Sequence, residues 1–173
     1  MKAIGISLLF VLCVTASVAA ADEFTTDKAS PLKLARSARG EDTVVRFTGT
    51  VRISGRFLAA WEGFDQKPRY LRVTFRPDGV AAGLLPRAAG AGAIQELMLT
   101  NNEQAATMLL GAEAAGKLLA KELASAEGDA MVTIGDYHAV VDCDHRWYMA
   151  RLVAVAASRD IVVATGEGRR PAC

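Results

Sequence analysis

The chain has 173 residues, 51% of them hydrophobic, with 20 Lys/Arg set against 19 Asp/Glu. That balance excludes disordered and collagen-like chains, and it excludes a chain that binds nucleic acid through bulk positive charge. The length favours one domain with a real core.

The first residues read as an export signal. Lys2 precedes an apolar run from Ile4 to Val14, and Ala19 and Ala21 then form an A-x-A cleavage pattern ahead of Asp22. The run is shorter than the roughly 20 residues a membrane-spanning helix needs, so 1–21 is expected to be a removable signal peptide and the mature protein to be periplasmic or secreted. Cys13 has no small residue before it, unlike a lipid-modified cysteine. No later segment is long and apolar enough to span a bilayer. The mature charges are uneven: 12 Lys/Arg against 8 Asp/Glu over 22–90, then 7 against 11 over 91–173. Two cysteines remain, Cys143 and Cys173. An even pair in an exported chain predicts a disulfide.

Residues 22–42 are polar, contain Ser30-Pro31 and lack periodicity, which predicts a flexible N-terminal arm. From Val45 the odd positions are apolar (Val45, Phe47, Val51, Ile53, Phe57, Trp61) and the even positions carry Arg46, Arg52 and Arg56. Period-2 alternation of this length predicts one long strand, with Gly49 and Gly55 as places to bend or bulge. A second strand follows over Arg69–Arg76, and Pro77-Asp78-Gly79 supplies a turn. Val80–Leu85 is weakly apolar, 88–93 is a small-residue loop, and Ile94–Leu99 predicts a third strand. Thr100-x-x-Glu103 fits a capping box that opens a helix, with Gly128 as its stop and a break possible at Gly111 or Gly116. Asp129–Asp142 and Arg146–Ala157 predict the last major strands, the former kinked at Gly135-Asp136. Ser158-Arg159-Asp160 reads as a turn into a short strand over Ile161–Ala164, a hairpin that would bring Cys173 back towards Cys143.

This order predicts a β-rich α+β domain over 43–173: an OB-fold-like barrel of five or six strands, with one helix between strands three and four. The segments IQELML, LLG, VTIGDYHA and HRWYMARLVAV, within 94–155, resemble the C-terminal part of small exported bacterial OB-like domains of uncharacterised function. The resemblance implies the fold and brings no catalytic residues. The chain departs from that group in having only His145 where a run of histidines would precede the last strand.

Motifs for catalysis are lacking: no G-x-S-x-G, H-E-x-x-H, P-loop or dinucleotide fingerprint occurs. The one dense polar cluster runs from Asp136 to His145. Its His138, Asp142, Asp144 and His145 form a metal-binding alternative, although H-x6-H is not a structural zinc spacing. Trp147, Tyr148 and Met149 open the last long strand and are read as core. The leading candidate is an outer sheet face bearing Arg46, Arg52, Arg56, Tyr70, Arg72 and Arg76, because arginine forks suit carboxylates and phosphates. With Phe47, Val51, Ile53 and Val73 beneath, that face predicts a non-catalytic binding module for an anionic glycan, a lipid headgroup or an acidic protein segment, without a cofactor. Export argues against nucleic acid. The alternatives are a small hydrolase or metal-dependent enzyme using Asp136–His145, and a structural envelope protein.

Overall fold

The computed structural model describes residues 24–39, 43–63, 69–142 and 145–165; the expected signal peptide, Cys143, Asp144, Cys173 and the side chain of Asp142 lie outside them. Eleven elements follow in chain order: β1 (Phe24–Thr25), β2 (Lys33–Arg39), β3 (Thr43–Thr48), β4 (Thr50–Glu62), β5 (Tyr70–Pro77), α1 (Gly79–Ala82), β6 (Arg87–Ala88), β7 (Leu97–Leu99), α2 (Asn102–Leu119), β8 (Ser125–Asp142) and β9 (His145–Ala164). None of the helices described is long and apolar enough to cross a membrane.

Five strands close a barrel in the order β4-β5-β7-β9-β8 and back to β4. All its pairings are antiparallel except β7 with β9. The helix α2 lies between the third and fourth strands of the ring, so the expected OB-fold-like barrel is the observed architecture. The alternation from Val45 holds in phase. Phe47, Val51, Ile53, Phe57 and Val73 are buried while Arg46, Arg52 and Arg56 are exposed.

Two short devices complete the ring where β7 ends. The side-chain oxygen of Asn102 accepts the amide of Val73 at 2.8 Å. Asn101 accepts the Leu152 amide at 2.9 Å and donates to the Leu152 carbonyl at 3.0 Å. Both asparagines thus continue, with side chains, the hydrogen bonds that β7 would have made to β5 and β9. The expected capping box does not form. Asn101 is the N-cap residue and makes no side-chain cap, and the Thr100 hydroxyl donates to Ala150 instead, at 3.3 Å.

Other expectations need correction. The segment 22–42, expected as a flexible arm, contributes β1, paired with β6, and β2, paired with β3. Phe24 explains part of the anchoring, since its ring meets Phe47 edge-on at 5.6 Å, and Phe47 in turn packs on the buried Tyr137. Tyr137 donates its hydroxyl to the Pro86 carbonyl, and burial holds its phenol well above the ordinary tyrosine range. The single long strand is divided at Gly49, where φ is +98° and a side chain would meet the Pro31 carbonyl. The 80–85 stretch opens with α1, whose first turn is capped by Asp78.

The helix ends at Leu119, nine residues before Gly128. Lys121 takes the left-handed conformation (φ +64°) normally given to glycine. The amide of Glu122 then bonds the Lys117 carbonyl at 2.9 Å and that of Lys121 the Leu118 carbonyl at 3.0 Å, which is the Schellman arrangement. The Lys121 ammonium sits 4.7 Å from the Trp61 ring centroid, a contact that offsets part of the backbone strain. Gly111 does interrupt the helix, at φ +77°. Asp136, at φ +50°, makes the expected kink in β8. No turn occurs at 158–160. The left-handed φ of Asp160 (+53°) accommodates a bulge, and β9 runs on beside β8 until Ala164 lies opposite Ser125. The hairpin expected between 157 and 161 is therefore absent among the described residues, and Cys143 and Cys173 lie outside them.

Candidate anion-binding cleft

One rung of the sheet gathers charge from four adjacent strands. Arg76 of β5 lies opposite Arg56 of β4, Arg56 opposite Asp129 of β8, and Asp129 opposite Arg159 of β9. These residues, with Ser54, Asp78 and Met131, line a cleft of about 520 Å³. The close approach of the strands depends on Gly55, whose missing side chain leaves room for the Arg76 carbonyl.

The charges in the cleft are unequally satisfied. Arg56 reaches Glu127 at 3.3 Å yet stays 60% exposed. Among the described residues Arg159 meets only its neighbour Asp160, at 3.8 Å. Arg76 is exposed and meets no carboxylate among the described residues. Asp78 is committed elsewhere: it accepts the Ser54 hydroxyl, and the Ala81 amide at 2.8 Å. The Ser54 bond first, and the Ala81 amide second, hold its carboxyl below the ordinary range. Like charges directly opposite on a sheet repel. The register sets two arginines opposite each other on β4 and β5, Arg56 leaning to Glu127 of β8, and an anion bound at this pair would relieve their repulsion.

The other arginines of the expected face share its outward direction but not this cleft. Arg52 lies opposite Thr133 and four residues from Arg56, roughly 13 Å along the strand. Arg46 lies opposite His138 on β8. Arg72, opposite Ala60, is about as far from Arg56 in the other direction. Its guanidinium is already engaged by Glu62 at 3.1 Å and Glu96 at 2.9 Å, and it is only 30% exposed. Partial burial is the largest single influence on it and disfavours the charge, but the two carboxylates outweigh that and hold its pKa above the ordinary arginine value. Tyr70 donates to Glu62 at 3.0 Å, and this bond first of all raises its phenol pKa. Tyr70 and Arg72 thus form a closed network with their own carboxylates, a correction to the expectation of a single open face.

The two histidines of the β8–β9 hairpin do not meet. His138 lies opposite Met149 and His145 opposite Asp142, four ladder positions apart and so roughly 13 Å. The Nδ1 of His138 is 2.9 Å from the Asp136 carbonyl, and His145 stacks on Trp147 at 5.8 Å. Among the described residues no three potential ligands gather around a metal position. Tyr148 is core as expected, whereas Trp147 is 39% exposed.

Sequence reading missed Arg159, Asp129 and Asp78 as lining residues. Ser158-Arg159-Asp160 reads locally as a turn. The signal that places it in a strand is the run from Val153 to Ala164, which holds neither glycine nor proline. Compared with known proteins, the chain matches no family model, and neither the curated proteins nor the solved structures give a match.

Proposed function

We propose that this protein is an exported, non-catalytic binding module that holds an anionic group, as on a charged glycan, a lipid headgroup or an acidic protein segment, between Arg56 and Arg76, with Arg159 at the rim. The observation that carries this reading is the facing pair Arg56 and Arg76, with Arg76 unmatched by any carboxylate among the described residues. A cleft of about 520 Å³ is within the range of small-ligand sites, roughly 300–1,000 Å³. That size favours the charged end of a glycan over a broad membrane surface.

The test is retention on an immobilised sulfated glycan, with inorganic phosphate and anionic lipid vesicles as competitors. A charge-assisted hydrogen bond contributes about 1.5–3 kcal/mol, so Arg76→Glu is expected to weaken binding by roughly ten- to a hundredfold. Arg52→Glu carries the same charge change at a position outside the cleft and is expected to have little effect. Equal losses in the two variants would reduce the interaction to general surface charge.

Export belongs to the same reading, and so does oxidation of Cys143 with Cys173. The disulfide rests on cysteine count and compartment alone, since among the described residues β9 runs on to Ala164 beside Ser125. One intact-mass measurement on protein recovered from the periplasm or medium addresses both. It is expected to begin at or near Ala20 to Asp22 and to be lighter by two hydrogens than the reduced chain. Failure to recover the protein from the periplasm or medium would refute export, a mass that includes Met1 would refute removal of the signal segment, and a fully reduced mass would refute the bridge.

A further inference from the structure

The cleft holds a second charge without a partner. Asp129 of β8 stands between Arg56 and Arg159 on one rung, and so on the same outward face of the sheet. Neither arginine takes its carboxylate: Arg56 leans to Glu127 at 3.3 Å and Arg159 to Asp160 at 3.8 Å. Among the described residues Asp129 makes no ion pair and no side-chain hydrogen bond, although it is half-buried. A carboxylate so placed gains from a donor that a ligand brings. Glycines fix how closely the strands approach on either side of this rung. A side chain at Gly55 would strike the Arg76 carbonyl oxygen, and one at Gly128 the Arg159 carbonyl oxygen. The adjoining rung is Ser54, Met131 and Ala157. The Ser54 hydroxyl is taken by Asp78, so this rung offers a ligand the apolar surface of Met131, 41% exposed, and of the exposed Ala157.

We propose that the cleft selects a glycan carrying an ammonium group close to its anion, such as an unacetylated amino sugar next to an acidic or sulfated unit. The proposal rests on anion binding at Arg56 and Arg76. Strands stand about 4.8 Å apart, so an anion between these two arginines lies roughly 7 Å across the sheet from Asp129. That separation suits substituents on neighbouring sugar units. The anion answers Arg76, which meets no carboxylate among the described residues, and the ammonium answers Asp129. The sugar ring that joins them presents C–H groups, for which Met131 and Ala157 supply an apolar surface. A purely anionic ligand would set its own charge against Asp129, so this carboxylate works against such ligands as well as for the amine-bearing one.

The test uses one sulfated glucosamine glycan in two forms that differ only at nitrogen, free amine and N-acetyl. The amine form is the less negative, so attraction to arginine alone would favour the acetylated one. The wild type is expected to bind the amine form about tenfold more tightly, the low end for a hydrogen bond to a charged group. Asp129→Asn keeps the size of the side chain and removes its charge. This variant is expected to bind both forms, which also establishes that it is folded, and to lose the preference for the amine. Arg76→Glu is expected to weaken both forms together. Equal wild-type affinity for the two forms would overturn the proposal and leave Asp129 as a counter-charge to Arg56 and Arg159. A preference that survives Asp129→Asn would overturn it too, and in either case anion binding at the arginines stands. Failure of the wild type to bind either form would instead refute anion binding itself. Vesicles of phosphoethanolamine lipid carry both charges without a sugar ring, and binding to them as tight as to the amine glycan would overturn the choice of a glycan.

Discussion

Gly55→Ala is expected to destabilise the protein by about 3 kcal/mol or more, at the upper end of what overpacking costs. A Cβ built at Gly55 falls 2.1 Å from the Arg76 carbonyl oxygen and 2.8 Å from the Phe75 ring. The clash is with the backbone of the neighbouring strand and not with the end of a flexible side chain. Relief requires β4 and β5 to separate where Gly55 faces Pro77, and the adjacent pairs Arg56–Arg76 and Phe57–Phe75 separate with them. Phe57 and Phe75 are fully buried, so the loss reaches the core as well as the cleft. Gly116→Ala is the opposite case. Nothing lies within 4 Å of its added Cβ, and alanine in a helix is favoured by up to about 1 kcal/mol over glycine, so this variant is expected to gain stability. Urea unfolding of both variants against wild type measures the contrast. A neutral Gly55→Ala would mean that the two strands can move apart freely.

The period-2 pattern from Val45 made the barrel legible because a one-residue slip would exchange every buried and exposed side chain. Turn chemistry carried less information. Lys121 occupies a helix C-terminus that sequence reasoning reserves for glycine, and what makes this tolerable is the ring of Trp61, sixty residues away in sequence. Asp160 likewise takes a left-handed φ within a strand, where Ser-Arg-Asp reads locally as a turn. The candidate cleft was half legible. Arg56 and Arg76 stand on the strands and on the face that alternation predicts, but the distinction between Arg76 and Arg72 is set by Glu62 and Glu96. Glu96 comes from the segment leading into β7, and no local pattern places it beside Arg72. Within its own strand Gly55 reads as a place to bend; its role is close approach to the Arg76 carbonyl, which depends on a partner strand that the sequence alone does not identify.

Asn101→Ala is expected to cost about 2–4 kcal/mol, because it strands two backbone groups of Leu152 at once and each buried group left unpaired costs about 1–3 kcal/mol. Leu152 is itself 1% exposed, so water cannot easily replace both bonds. Asn101→Asp separates the two contributions. A carboxylate still accepts from the Leu152 amide but faces the Leu152 carbonyl with no hydrogen to give, so this variant is expected to be nearly as damaging as alanine. Asn102→Ala removes one bond, to Val73, and is expected to cost less. The two asparagines hold β9 and β5 on either side of the point where β7 ends. Opening one side frees the other to move, so the double variant is expected to lose less than the sum of the single losses, the mark of residues acting on one structural feature. A double-mutant cycle in urea decides this: strictly additive losses would make them two independent anchors and would remove the argument that side chains complete the ring.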